Sequence, residues 1–214
     1  LGSLKLASRL GSAEAAFEIG KCYQDGAVTQ VDQEQAKSWF QRAADHSHPE
    51  AMAIIGQDLI EGDHSPADLV KGAQLLRRSA EAGSPLGMFR FSLANGMGKG
   101  VPKNAQLEAS WADRAAEAGN VDAAFRQGTI NLLGGKDIQK GIHFLEIASE
   151  KGSHPATTML FDAYRGKVGS TAAPEKALAL LQKKVQEGNE WAMFQLGAAH
   201  AQGSFGLTTD DQEG

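Results

Sequence analysis

The side chains best suited to bind a metal or act as a nucleophile are six histidines, His46, His48, His64, His143, His154 and His200, and a single cysteine, Cys22. Zinc sites draw on Cys and His at short, regular spacings, for example two histidines one helical turn apart around a Glu. No such spacing occurs here. His46 and His48 fall in one turn and His64 in a later loop, which reads as a chance surface pair. One cysteine cannot close an intrachain disulfide, and Cys22 reads as a small, buried or half-buried helix residue. Ser79 is followed by Ala80-Glu81-Ala82 and fits no nucleophile motif. The run Asn95-Gly96-Met97-Gly98-Lys99-Gly100 looks like a phosphate cradle, but it lacks the Gly-Lys-Ser/Thr ending and a preceding strand. It reads as a loop between helices. These residues predict no catalytic group, no cofactor and no metal.

The chemistry that remains is that of polar side chains meeting a partner. Arg90 and Arg126 can receive carboxylates, because a guanidinium offers planar, paired donors. Glu18 and Gln195 share their register, and Lys21 and Gln57 lie one turn later, as the repeat makes clear.

Glycines recur at 26, 62, 98 and 134, each 36 residues after the last, and again at Gly203. Gly11, Ser47, Gly83, Gly119, Gly152 and Gly188 form a second series, and Asp32, Asp68, Asn104 and Asp137 a third. All three series lose the same 3 residues in the same unit, so the period is a repeat and not a coincidence.

Within each unit the apolar pattern is helical. Helix A runs through Ala15-Ala16-Phe17, Ile19-Gly20 and Tyr23 to Gly26, with counterparts in later units. A small residue recurs in its middle, at Gly20, Gly56, Ser92, Gly128 and Gly197. Glycine there costs up to about 1 kcal/mol of helix propensity, so a repeated small residue predicts close helix–helix approach. Helix B starts at the Asp/Asn series, whose side chains can cap free N–H groups. One of its faces carries Ala36, Trp39, Phe40, Ala43 and Ala44 and their equivalents. The aromatics Trp39, Phe40, Trp111 and Phe144 are expected in the core between repeats. Two short helices cannot bury both stripes alone, but stacked units can.

The fold class is therefore all-α, an α/α solenoid of about six helix–turn–helix units. One array spans 1–214, with repeats at about 11–46, 47–82, 83–118, 119–151, 152–187 and a partial 188–214. Residues 4–10 read as the tail of a preceding helix. Both ends read as cut: Leu1 is no initiator Met, Gly2-Ser3 looks like a cloning remnant, and Asp210 lies near a further cap position. Continuation of the protein, or a partner on the open end, is expected, and so is the option of end-to-end self-association.

A row on helix A changes character from unit to unit: Glu18, Ile54, Arg90, Arg126 and Gln195, then Lys21, Gln57, Leu93, Thr129 and Ala198 one turn later. These positions lie between core positions and are expected to face a concave groove, with Arg90 and Arg126 side by side to receive acidic groups. Residues that vary where the scaffold repeats can carry specificity.

The stretch Gly98-Lys99-Gly100-Val101-Pro102-Lys103-Asn104, then Trp111 and Arg114-Ala115-Ala116-Glu117-Ala118-Gly119, resembles the Sel1-like repeat of the tetratricopeptide-like superfamily. Ala123-Ala124-Phe125 and Gly128 continue the likeness, which runs from about Leu4 to Gly203. The resemblance implies a right-handed superhelix with a concave binding face and an adaptor role. Members include periplasmic regulators and immunity proteins, which favours a bacterial periplasmic or secreted setting. Cys-rich members are linked to β-lactams, but this chain has only Cys22 and departs from them. The function expected is non-catalytic binding of another protein; a carbohydrate- or peptidoglycan-associated module is the alternative. The formal net charge of −5 argues against nucleic acid. At 42% hydrophobic and 22% charged residues the chain has the composition of a folded protein, and no run is long enough to span a membrane.

Overall fold

The computed structural model describes residues 2–26, 30–62, 65–135 and 137–207. His64 and Asp210 lie outside them. The described residues form helices and no strand. They fall into two compact units, Leu1–Ala124 and Phe125–Gly214.

The first unit holds α1 (Gly2–Arg9), α2 (Ala13–Asp25), α3 (Gln33–Asp45), α4 (Pro49–Glu61), α5 (Pro66–Glu81), α6 (Pro85–Met97) and α7 (Ala105–Glu117). The division falls inside α8 (Val121–Leu133). The second unit continues with α9 (Ile138–Glu150), α10 (His154–Tyr164), α11 (Pro174–Gln186), α12 (Glu190–Ala201) and a short 3-10 turn at Ser204–Gly206. From α2 onward, even-numbered helices are helix A of a repeat and odd-numbered ones helix B.

The anchor series closes each helix B. Its residues adopt the left-handed conformation, from Gly11 at φ 94° to Gly188 at φ 79°; only Ser47, at φ 64°, does so with a side chain. The next residue then caps helix A. Ser12, His48, Ser84, Asn120, Ser153 and Asn189 each accept the N–H of the third residue onward. This series satisfies donors that a helix start leaves free.

Helix B is capped as expected by Asp32, Asn104 and Asp137. The second repeat differs: Ser65 is the cap and Asp68 sits one turn in, closing a capping box and lengthening α5 to 16 residues.

The small residue in helix A does bring helices together. An ideal Cβ on Gly20 would lie 2.6 Å from the Phe40 ring, and one on Gly72 of α5 would lie 2.8 Å from the Gly56 carbonyl. Between the first two repeats, Ala16, Phe40, Ala43, Ala44, Met52 and Ile55 form a buried cluster with Phe17, Trp39 and Leu75 packed on it. Phe40 and Phe144 are buried as expected; Trp39 and Trp111 are half-buried, with Arg42 and Arg114 over their rings at 5.5 and 4.0 Å. Glu108, which breaks the apolar pattern of α7, lies over Gly96, where a Cβ would be 2.5 Å from its carboxylate. The glycine-rich run is the end of α6 at residues 95–97 and becomes an inter-helix loop from Gly98. Gly100 (φ 71°) is pressed against the Leu69 backbone of α5, where a Cβ would overlap the carbonyl. Lys99 Nζ donates to the Ile60 carbonyl at 3.3 Å.

Candidate functional site

The variable row on helix A is half-buried at Glu18, Ile54, Arg90, Arg126 and Gln195, and at Gln57, while Lys21 is exposed. In α2, Lys21 and Glu18 pair with each other at 3.0 Å. Their salt bridge is exposed and worth little energy. In α4, the Gln57 amide donates to Glu61 Oε1 at 2.7 Å.

Gln57 and Arg90 come together. They line one crevice of about 140 Å³ between α4 and α6, with Glu61, Leu93, Met97 and Lys99. The guanidinium of Arg90 lies 5.8 Å from the centre of the Phe89 ring, and its Nε is buried without a hydrogen-bond partner among the described residues. A buried donor left unpaired costs about 1–3 kcal/mol. Gln57 and Glu61 also line a larger crevice of about 400 Å³, closed on one side by Lys37 of α3 and Asp58 of α4, paired at 2.5 Å. Glu18 and Lys21 line neither of these crevices. Arg126 and Gln195 hold the same register positions in α8 and α12 of the second unit.

His48 corrects the reading of a chance surface pair. It is buried, stacked on Phe17 with ring centres 4.1 Å apart. Its Nδ1 accepts the Ala51 N–H, so Nε2 carries the proton and donates to Glu14 at 3.1 Å. It is the α4 cap and serves packing. His46 is the residue that ends α3. No group of three or more His, Cys, Asp or Glu residues converges as a metal site among the described residues. Cys22 is half-buried.

A cavity of about 510 Å³ lies in the second unit, between α9 and α11 with α10 as its floor. Leu160, Ile147 and Leu180 give it an apolar base. The Tyr164 hydroxyl donates to Glu146 at 2.5 Å. Burial first, then this hydrogen bond to a carboxylate, push the Tyr164 phenol above the ordinary tyrosine range, so it is a donor at neutral pH. Lys183 bridges to Glu150 at 3.2 Å. Lys184 is only 3% exposed and is satisfied by the Ser149 carbonyl at 2.7 Å and by Glu187 at 2.8 Å. None of these residues belongs to the helix-A row. The sequence signal for them is an exception: where the other helix-A midpoints are small, the fifth repeat has Phe161.

Residues 13–48, 49–84 and 192–214 match the Sel1 repeat family, and residues 101–161 match the plant tetratrico peptide repeats. A Sel1 repeat protein from Oxalobacter formigenes superposes with a TM-score of 0.69 at 29% identity, over 95% of this chain and 84% of that one. Immunity protein Pa5087 from Pseudomonas aeruginosa superposes with a TM-score of 0.61 over 87% of this chain and 73% of that one; at 17% identity it shares the fold alone. Chitin synthase regulatory factor 3 of Schizosaccharomyces pombe is 27% identical over 184 residues, which is 81% of this chain and 20% of that protein. The chain thus spans about a fifth of the length of the curated relatives it matches. Helix pairs of this register, closed by left-handed anchors, define an all-α repeat solenoid. The chain carries Sel1 repeats, of the tetratricopeptide-like superfamily, and resembles a solved Sel1 repeat protein over nearly its whole length. Such repeats mediate protein–protein interaction.

Proposed function

We propose that this protein is a regulatory adaptor that binds one partner protein along its helix-A row, without catalysing a reaction. The observation that carries this reading is the crevice shared by Gln57 and Arg90, in which a buried Arg90 Nε has no acceptor. An acidic side chain of a partner meets the accessible end of the same half-buried guanidinium, where a charge-assisted hydrogen bond is stronger than a neutral one. Arg126 and Gln195 take the same role within their own unit. The likeness to a chitin synthase regulatory factor supports a protein that acts by contacting an enzyme. A periplasmic regulator, or an immunity protein that masks one effector, is the finer form of the same proposal.

The test is a pull-down from lysate and periplasm of the source organism with mass spectrometry, using wild type, Arg90→Glu and Arg126→Glu. Circular dichroism checks the fold of each variant. One stoichiometric protein, lost with Arg90→Glu, is the expected result, and its identity separates regulator from immunity protein. Equal recovery from wild type and both variants sinks the row as the binding surface.

A further inference from the structure

The two crevices of the first unit are successive stations of one groove, and their charge reverses from one to the next. The crevice of about 400 Å³ lies between α3 and α4, and that of about 140 Å³ between α4 and α6. Gln57 and Glu61 of α4 line both, so α4 is the ridge between them. The repeat register relates the two walls. Ile54, Asp58 and Glu61 of α4 correspond to Arg90, Ala94 and Met97 of α6, each 36 residues later. Within one repeat an apolar residue becomes a cation, and the two carboxylates become apolar.

The first crevice is lined by the carboxylates of Glu34, Asp58 and Glu61 and by one cation, Lys37, which pairs with Asp58 at 2.5 Å. Glu34 and Glu61 are exposed, and the hydrogen bond that Glu61 accepts comes from the neutral Gln57 amide. The second crevice is lined by Arg90 and Lys99, with Glu61 as its carboxylate. Arg90 Nε has no partner among the described residues, and Lys99 Nζ donates to the neutral Ile60 carbonyl at 3.3 Å. Over the whole groove the charges balance, but they are separated: the excess is negative on the α3 side and positive on the α6 side. A surface of this kind disfavours a segment of one sign and selects one whose own charges are separated in the opposite sense. Ile54 in the first crevice also offers an apolar wall for the stem of a Lys or Arg.

We propose that this groove takes an extended segment of a partner protein, with a Lys or Arg seated against Glu34 and Glu61 and an Asp or Glu against Arg90 and Lys99. Neighbouring packed helices lie about 8–10 Å apart, a span that an extended chain covers in about three residues. The base and the acid of the segment are therefore about three residues apart. The acidic contact rests on the reading of the helix-A row as the binding surface; the basic contact goes beyond it.

The test is to pan a phage library of short random peptides on the full chain, then measure the enriched peptides by fluorescence anisotropy. Glu34→Gln with Glu61→Gln changes exposed side chains at constant shape, and circular dichroism checks the fold of this variant and of Arg90→Gln. The expected result is enrichment of peptides with a Lys or Arg about three residues from an Asp or Glu. The Glu34→Gln/Glu61→Gln variant weakens such a peptide about tenfold, with no further loss once the base of the peptide is replaced by Ala. Arg90→Gln does the same through the acid of the peptide. Peptides that carry an acid alone, coupled to Arg90 and indifferent to Glu34 and Glu61, overturn the charge-separated groove and leave the Arg90 reading standing. No enriched sequence, or affinities unmoved by either variant, also overturns it, and the pull-down then decides the Arg90 reading by itself.

Discussion

The second and fifth repeats share a plan and differ in how tightly it is closed. In the second, Gly56 and Gly72 face each other, and a Cβ on Gly72 would lie 2.8 Å from the Gly56 carbonyl. Its helix B starts with a full capping box at Ser65. In the fifth, Phe161 and Leu181 stand at the junction, and helix B starts at Ala173 with no side-chain cap. One pair packs backbone to backbone; the other leaves a cavity of about 510 Å³. The same helical hairpin thus closes on two glycines in one repeat and on two bulky side chains in the other. If that is right, the harshest change is Phe161→Ala. It removes a buried aromatic that packs on Trp191 and should cost about 3–5 kcal/mol, read as a lower urea midpoint by Trp fluorescence and circular dichroism. A loss near zero would mean that the neighbouring side chains close over the space the ring leaves.

The closed hairpin can be pried open from the other direction. Gly72→Val forces side-chain atoms into the α4 backbone and should cost about 3 kcal/mol, the upper end of overpacking penalties. Gly197 sharpens the point, because it holds the same register position as Gly56 yet a Cβ there meets nothing within 4 Å among the described residues. Gly197→Ala should therefore stabilise, by up to about 1 kcal/mol of helix propensity. A destabilising Gly197→Ala, in the same urea titration, would show that a neighbour lies over α12 after all. The open face also explains why Phe194 is 73% exposed, although Phe17, its equivalent in the first repeat, packs on Phe40 at 5.5 Å.

What the sequence reveals here follows from what repeats. The alternation of helices, the left-handed anchors and the packed glycines recur at a fixed period, so residues such as Gly20 and Phe40 can be placed before any coordinates exist. The cap series Ser12, His48, Ser84, Asn120, Ser153 and Asn189 is just as regular, but its mixed residue types hide it. His48 misleads for that reason: a histidine two residues from another suggests surface chemistry, while its ring replaces a serine hydroxyl as a cap. Asp68 misleads because spacing alone cannot tell a cap from the residue three further on. The helix-A row is legible as a row, yet which of its members meet is decided by packing. Gln57 and Arg90 share a crevice, whereas Lys21 is occupied by Glu18. The departure of the fifth repeat is the hardest to foresee, since Phe161 looks like one more core aromatic until its register is compared with the glycines.

The gentlest test of the comparison concerns the cap that the fifth repeat lacks. Ala173 has φ −135° and ψ 73°, close to Asn104 at −148° and 99° and to Asp137 at −154° and 88°. Its backbone is already in cap geometry, and only the acceptor is absent. Ala173→Asn should supply an acceptor for the Lys176 N–H and stabilise α11 by about 1 kcal/mol. Asn serves better than Asp, because Glu175 already places a negative charge in that first turn. The gain should appear as a higher urea midpoint, with slower amide exchange confined to the first turns of α11. An unmoved midpoint would mean that the start of α11 is already held by other contacts, and that the missing cap costs the fifth repeat nothing.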